Sequence, residues 1–236
     1  MKKKNNMKKL MIRQPGYLPN VGFFKKIQSS DIFIFLDDAQ FVKDRFDNRN
    51  KIRTKINFQW LTVPLKRPVF KKNLNQVQID NEQKWANYHL EKLNESYEKC
   101  EYFTSYWNDI SKILIKKYNK LIDLNMNLID FFCNELKIFT PCFFSSSFPT
   151  EKTSTAKLVH LCKSVDADCY VSGISGHEYL DEKIFSENNL RLIYENFVHP
   201  IYPQIHGDFL ENMSIIDLIM NTGDLSKKIL LECKNY

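Results

Sequence analysis

The pattern of apolar and polar residues in the N-terminal part of the chain predicts a strand, a tight turn, a short helix and a second strand. Residues 10–12 are apolar, and the Gln-Pro-Gly sequence at 14–16 stops the strand because proline and glycine interrupt regular structure. Apolar residues between 21 and 27 then follow a helical spacing. The continuous apolar run at 32–36 is typical of a strand that is covered on both faces. A third strand is predicted at 58–65, after a polar loop.

The rest of the chain changes from strands to helices and back to alternating elements. Residues 74–79 are predicted as a further strand, and apolar residues three and four positions apart predict three helices between about 84 and 136. The elements predicted beyond the insertion are a strand at 143, a helix at 155–165, strands at 169–172 and 191–195, and helices at 213–219 and 225–231. Alternating strands and helices are typical of a parallel sheet. We therefore expect a single Rossmann-like α/β domain at 10–236, with a mainly parallel sheet, helices on both faces and a helical insertion at about 84–136.

The positive charge of the chain is concentrated at its N-terminus. The 236 residues have a formal net charge of +6, and five positive charges belong to Lys2, Lys3, Lys4, Lys8 and Lys9. We expect residues 1–9 to be a disordered basic tail. The remaining body is then nearly neutral, which argues against a nucleic acid as partner.

Several other classes of protein are disfavoured by composition. No stretch approaches the roughly 20 apolar residues of a membrane span, and no secretory signal is recognisable, so we expect a cytoplasmic protein without a membrane span. The six cysteines are scattered, which favours free thiols. The spacing of His199, His206 and Asp208 lacks a metal-binding signature, so no metal is expected. A homo-oligomer is compatible with the sequence.

Polar residues follow the first two predicted strands at ends that a parallel sheet brings together. Gln14 and Tyr17 follow the first strand, and Asp37 and Asp38 follow the second. Ligands of open α/β sheets bind beyond the carboxyl ends of the strands, so we expect these side chains to face one crevice. A carboxylate there could accept a proton from a nucleophile or hold Mg²⁺.

Two further loops are candidates for ligand contact. Gly173 and Gly176 follow a predicted strand and would allow a ligand to approach the backbone, and His177 beside them could donate or accept a proton. The same glycine spacing also fits a simple tight turn. The Ser/Thr-rich residues 145–147 and 150–154 could hold an anion at a helix N-terminus, or they could act only as helix caps.

The order of several short motifs resembles the WbqC-like family of bacterial proteins. The family pattern resembles H-Q-P-x-Y-x-P-W-x-G-x-F, then L-D-x-x-Q-F, N-R-N and W-L-T-V-P. The matching residues are Gln14, Pro15, Tyr17, Pro19, Gly22, Phe24, Leu36, Asp37, Gln40, Phe41, Asn48, Arg49, Asn50 and residues 60–64. The resemblance continues through 170–185 and 202–223. The chain departs from the pattern at Arg13, where the family has histidine, and at Asn20, where it has tryptophan.

The resemblance implies a role in the assembly of O-antigen and other surface polysaccharides. We expect an enzyme that modifies a nucleotide-activated amino sugar by acyl or aminoacyl transfer to the sugar amine. The order of elements also resembles, more distantly, nucleotidyltransferase-like ligases such as pantothenate synthetase, so either ATP with Mg²⁺ or acyl-coenzyme A could be required. The alternative is a non-catalytic protein that binds a sugar nucleotide or assists a glycosyltransferase.

The sequence thus provides a set of candidate site residues for this hypothesis. The catalytic candidates are Asp37, Asp38 and His177. The substrate-binding candidates are Arg13, Gln14, Tyr17, Gln40, Asn48, Arg49, Asn50, Arg53, Gly173, Gly176, Tyr179 and Gln204. Arginine is included because its guanidinium can grip phosphate or carboxylate through two parallel hydrogen bonds.

Overall fold

Continuous apolar runs form short strands, and five of these strands make one parallel sheet. The computed structural model describes residues 7–233. Its strands are β1 (Lys9–Arg13), β2 (Ile32–Phe35), β3 (Arg49–Arg53), β4 (Phe58–Thr62), β5 (Cys142–Phe144), β6 (Cys169–Gly173) and β7 (Arg191–Glu195). Its α-helices are α1 (Val21–Ser29), α2 (Trp85–Tyr97), α3 (Phe103–Ile115), α4 (Leu121–Glu135), α5 (Ser154–Ser164), α6 (Glu182–Glu187), α7 (Ile215–Thr222) and α8 (Leu225–Glu232).

The order of strands in the sheet is β5-β2-β1-β6-β7, and every pair is parallel. Leu10 lies beside Ile32 of β2 on one side and beside Tyr170 of β6 on the other. Strands β2 and β5 extend the sheet on one side of β1, and the later strands β6 and β7 extend it on the other side. The switch point therefore lies between β1 and β6. This architecture confirms the predicted Rossmann-like α/β fold.

The sheet separates two apolar cores because successive side chains of a strand point to opposite faces. On one face, Met11 and Phe33 belong to a large core that includes residues of α1, α7 and the helical insertion. On the other face, Leu10 and Ile34 pack with residues of α5 and α6. Both faces of the central strands are therefore covered, which explains why the sequence of β2 is apolar at every position.

Two of the predicted strands need correction. The strand expected at 58–65 ends at Thr62 and pairs in antiparallel fashion with β3, so it belongs to a separate hairpin rather than to the main sheet. The segment expected as a strand at 74–79 contains a 3₁₀ turn at Leu74–Gln76. That turn forms because the Leu74 and Asn75 N–H groups donate to the carbonyls of Ala39 and Asp37, 2.9 Å away in each case, instead of to a neighbouring strand.

The predicted basic tail falls largely on residues 1–6, which lie outside the described residues. Lys9 already begins β1, and the backbone N–H of Lys8 donates to the carboxylate of Asp168 at 2.8 Å. Lys8 and Lys9 thus take part in the fold, although both were predicted to belong to the tail. In the described part of the chain, no helix has both the length and the apolar character needed to cross a membrane.

A buried polar contact joins the turn after β1 to the helical insertion. The hydroxyl of Tyr17 lies 2.8 Å from Nδ1 of His89 on α2, and both residues are almost completely buried. Tyr17 was predicted to contact substrate, but its hydroxyl is used by this internal bond. Burial lowers the pKa of His89 to about 4, against the opposing effect of a hydrogen bond to the Thr62 backbone.

The low pKa of His89 predicts a loss of stability in acid. The unfolded chain protonates this histidine below about pH 6.5, whereas the folded chain keeps it neutral until about pH 4. Stability is therefore complete above pH 6.5 and decreases as the pH falls, by about 2 kcal/mol between pH 7 and pH 5. In urea unfolding, the free energy of unfolding should change less between pH 7 and pH 5 for His89→Gln than for the wild type. Equal differences would exclude this origin.

Candidate active site

A cavity of about 950 Å³ opens beyond the carboxyl ends of the strands at the switch point. It is lined by the turn after β1, the loops after β2 and β6, and the segment that leads into α5. Its volume lies within the usual range for sites that bind small molecules. Both its position and its size make it the candidate active site.

The carboxylate of Asp37 holds the loop after β2 in place below this cavity. It accepts hydrogen bonds from the backbone N–H and hydroxyl of Ser146 at 2.9 and 2.7 Å, from Ser145 Oγ at 3.0 Å and from Asn75 at 3.1 Å. Burial alone would raise the pKa of Asp37, but these hydrogen bonds outweigh burial and hold the pKa below its usual value. Asp37 was predicted as a catalytic residue. The structure instead places it outside the main cavity, where its oxygens are engaged by structural donors.

Asp38 lies at the wall of the cavity and connects the loop after β2 to α5. Its Oδ1 lies 2.7 Å from Nζ of Lys157 and 2.5 Å from the hydroxyl of Ser145. The ion pair is largely shielded, with the two side chains 18% and 23% exposed. Asp38 therefore fixes the position of the α5 N-terminus relative to the sheet.

The N-terminus of α5 gives the cavity a site suited to anions. No side chain caps this helix, and residues 150–155 line the cavity. Uncapped N–H groups at a helix N-terminus attract negative charge. Lys152 and Lys157 line the same wall, where Glu151 and the Asp38 carboxylate paired with Lys157 balance their charge.

Arg13 brings a second cationic group into the cavity from the end of β1. Burial lowers the pKa of its guanidinium, although nearby Tyr179 and Asp47 raise it. The pKa of neighbouring Lys26 is also lowered, by burial and by the charge of Arg13. An anionic ligand would relieve this clustering of positive charge.

The sequence analysis missed Asp47, which is the acid with the most unusual environment in the cavity. Asp47 is 3% exposed, and its Oδ2 has no hydrogen-bond partner. Its backbone carbonyl accepts a hydrogen bond from Asn125 at 2.8 Å, which fixes this part of the loop. Burial raises the pKa of Asp47 to about 6, although a backbone hydrogen bond from Val42 and the charges of Arg45 and Arg13 oppose the shift. An acid with such a pKa can exchange protons near neutral pH.

The structure brings six of the predicted site residues into the cavity lining. They are Arg13, Gln14, Asp38, Gln40, Asn50 and Tyr179. Asn20, a departure from the family pattern, also lines the cavity and caps α1 by accepting a hydrogen bond from the Phe23 N–H at 3.2 Å. Asparagine is a good N-cap residue, so this substitution retains a local structural role.

Three residues from the polar stretch around β3 support the backbone instead of lining the cavity. Asn48 donates to the Val63 carbonyl at 2.9 Å. Arg49 pairs with Asp44 at 3.0 Å and lies over the ring of Trp60. The guanidinium of Arg53 donates to backbone carbonyls; its four acceptors are those of Thr54, Asn57, His206 and Asp208.

The residues predicted around the loop after β6 also lie mainly outside the cavity. His177 stacks on Tyr194 with ring centroids 3.4 Å apart, and its Nδ1 lies 3.7 Å from the Glu182 carboxylate. A Cβ atom at Gly176 would clash with Ser172, so this glycine serves a tight turn. Gly173, the last residue of β6, is likewise absent from the cavity lining. In this loop, Ser175 and Tyr179 face the cavity instead.

Gln204 belongs to a separate buried network under the C-terminal segment. Its side-chain amide donates to Asp217 at 2.7 Å and to the Leu210 carbonyl at 3.0 Å. The hydroxyl of Tyr202 donates to the same carboxylate at 2.9 Å. The predicted contact of Gln204 with substrate is therefore replaced by a role in holding this segment against α7.

Comparison with known proteins finds sequence matches over almost the full chain. The model of the WbqC-like protein family matches residues 14–229. The chain belongs to the WbqC-like protein family. The uncharacterized protein Rv1507c of Mycobacterium tuberculosis (strain ATCC 25618 / H37Rv) is 32% identical to this family member over 231 residues, which cover 97% of this chain and 100% of that protein. No solved structure gives a significant match.

The raised pKa of Asp47 predicts that Asp47→Asn stabilises the protein at neutral pH. The folded wild type resists ionisation of this carboxyl up to about pH 6, whereas an unfolded chain ionises it near pH 3.8. Wild-type stability is therefore lost as the pH rises between these values. The variant should be more stable by up to about 3 kcal/mol at pH 7.

At pH 4 the difference between Asp47→Asn and the wild type should nearly vanish, because the aspartate is then neutral in the fold. Unfolding in guanidinium chloride at pH 7 and at pH 4 measures this difference in stability. Asp208→Asn changes an exposed carboxyl outside the cavity and is the control, which should be as stable as the wild type at both pH values. A variant that is equally or less stable than the wild type at pH 7 would contradict the environment described for Asp47.

Proposed function

We propose that this WbqC-like protein is an enzyme of surface-polysaccharide assembly that modifies a nucleotide-activated amino sugar. The proposed reaction is acyl or aminoacyl transfer to the sugar amine. The observation that carries the proposal is the position of Asp47, a buried acid with a pKa of about 6 and an unpartnered oxygen, in the same cavity as Arg13 and the N-terminus of α5. This combination suits a substrate that has an anionic part and a group able to give up a proton.

The anionic part of the substrate would be the phosphates of the nucleotide sugar. Arg13 can offer two parallel hydrogen bonds to phosphate oxygens, and the uncapped N–H groups of α5 can offer more. Lys157 is held by Asp38 and would act mainly through its charge. Gln14 and Asn20 line the same cavity and can bind sugar hydroxyls through their side-chain amides.

The proton on the sugar amine would be removed by Asp47. As the amine nitrogen attacks the acyl carbonyl carbon, a C–N bond forms and the bond from that carbon to the leaving group breaks. The amine must lose a proton for the amide to form, and the carboxylate of Asp47, a residue of the cavity lining, can accept it. Its pKa near 6 leaves most molecules ionised, and thus basic, at pH 7.

The acyl donor is a substrate in this scheme, either an adenylate made from Mg-ATP or an acyl-coenzyme A. Asp37 and Asp38 were predicted as ligands for Mg²⁺, but their oxygens accept hydrogen bonds and an ion pair from neighbouring side chains. Within residues 7–233, no group of three or more His, Cys, Asp or Glu residues could hold a metal ion. A magnesium ion would thus arrive on the phosphates of the nucleotide.

Thermal melts with Mg-ATP, coenzyme A, acyl-coenzyme A and a panel of nucleotide sugars test the proposal. A nucleotide sugar at ~100 times its dissociation constant should add about 2.7 kcal/mol of stability to the wild type. Arg13→Gln should lose most of this shift because the phosphates lose their main side-chain partner. Asp47→Asn should keep the shift but turn over its substrate about 10² to 10⁴ times more slowly.

His177→Ala is the matched control for the acid–base role, because His177 lies outside the cavity and should leave turnover unchanged. Full turnover by Asp47→Asn would exclude the proposed base. Stabilisation by a nucleotide sugar without turnover by the wild type would instead identify the alternative, a non-catalytic protein that binds sugar nucleotides.

A further inference from the structure

One segment of the chain is strongly basic, although the net charge of the whole chain is modest. Residues 40–72, which we call the basic rim, include ten lysines and arginines but only two acids, Asp44 and Asp47. Their net charge of +8 exceeds the +6 of the whole chain, so the remaining residues are net negative. A general excess of lysine does not explain this, because 34 of all 236 residues are lysine or arginine against ten of these 33.

Neither of the two acids in the basic rim is an unpaired, exposed carboxylate. Asp44 is paired with Arg49 at 3.0 Å, and Asp47 is buried in the cavity wall. Most of the cations are exposed instead. The exposed ones are Lys43, Arg45, Lys55, Lys66, Arg67 and Lys71.

Large apolar side chains are exposed among these cations. Ile56, at the tip of the β3–β4 hairpin, is 94% exposed, and Phe70 is 77% exposed. Val42, Phe46 and Phe58 are 46%, 42% and 39% exposed. Exposed apolar side chains that cluster within a polar rim are typical of a surface that binds a protein or a membrane.

Direct contacts join the parts of the basic rim into one surface. The Phe41 N–H donates to the Lys72 carbonyl at 2.9 Å, which places the loop at 66–72 beside the segment at 40–46. The ring of Phe46 lies 5.8 Å from that of Trp60 in the hairpin, and Lys51 lies 4.5 Å from the ring of Phe58. Arg45 and Phe46 also line the active-site cavity, so the basic rim borders it.

We propose that the basic rim docks the protein on an anionic phospholipid surface, with the cavity facing the headgroup layer. The exposed cations complement the lipid phosphates, and Ile56 and Phe70 enter the boundary between headgroups and acyl chains. The apolar tips favour a membrane over a nucleic acid, because an isoleucine side chain has no flat face on which a base can stack. Docking of this kind gives the cavity access to a substrate carried on a lipid. The docking inference is independent of which group the proposed enzyme transfers.

Flotation of the purified full chain with lipid vesicles tests this inference. Vesicles of phosphatidylcholine mixed with phosphatidylglycerol should bind the protein, vesicles of phosphatidylcholine alone should not, and added salt should release it. Lys55→Gln should weaken binding about fivefold, since one cation near an anionic surface contributes about that factor. Phe70→Ser should weaken binding roughly tenfold through loss of buried apolar area.

Matched controls lie on other parts of the surface. Phe139→Ser removes a phenylalanine that is also 77% exposed, and Lys227→Gln removes an exposed lysine of α8. Both control variants should bind vesicles as the wild type does. Because Lys55 and Phe70 lie outside the cavity lining, turnover of a water-soluble sugar nucleotide should be unchanged in their variants.

Three outcomes would overturn the inference. The first is no binding to the anionic vesicles at low salt. The second is equal loss of binding in the Phe70→Ser and Phe139→Ser variants. The third is tighter binding to duplex DNA than to vesicles that is insensitive to Phe70→Ser. Vesicle binding without turnover would leave this inference standing while the proposed enzyme activity fails.

Discussion

The hydrogen bonds to the Asp37 carboxylate are the constraint on which the geometry of the cavity depends. A strand of four residues such as β2 ends abruptly, and the loop after it must be fixed by side chains. Asp37 supplies acceptors for Ser145 and Ser146, which follow β5, and for Asn75. The single hydroxyl hydrogen of Ser145 is shared between Asp37 and Asp38, and the ion pair of Asp38 with Lys157 then positions α5. One buried acid thus links the ends of two strands to the helix whose N-terminus forms a cavity wall.

Asp37 and Asp47 show how the environment of an acid determines its use. Both are nearly buried, with 4% and 3% of their surfaces exposed. Donors surround Asp37, which lowers its pKa, whereas Asp47 lacks a partner at Oδ2, and burial raises its pKa. A buried charge that is only partly hydrogen-bonded opposes folding. Acids with unfavourable buried charges and shifted pKa values are found most often at functional sites. Asp47 is therefore a better candidate for proton transfer than Asp37.

Much of the fold could be predicted because the spacing of apolar residues indicates which faces of helices and strands are buried. The apolar run of β2 correctly predicts a strand, and the helical spacing in the insertion correctly predicts helices, because in both cases the buried side chains are the apolar ones. The strand β3 was missed because its sequence, Arg-Asn-Lys-Ile-Arg, has no apolar alternation. Its stability comes from tertiary contacts instead. Asn50 donates to the Leu18 carbonyl at 2.7 Å, and Arg49 and Lys51 lie against aromatic rings of β4.

The candidate site was harder to predict because polar residues in a motif can serve either a ligand or the buried backbone. Arg53 and Gln204 were predicted to bind substrate, yet buried carbonyls and Asp217 accept hydrogen bonds from their donors. Buried backbone groups need partners, and this demand is invisible in sequence. The special state of Asp47 arises only from burial, so it was invisible as well. Arg13 faces the cavity because it ends a central strand, and that position could be predicted from the alternation of strands and helices. Sequence therefore located the crevice better than it assigned roles to the residues around it.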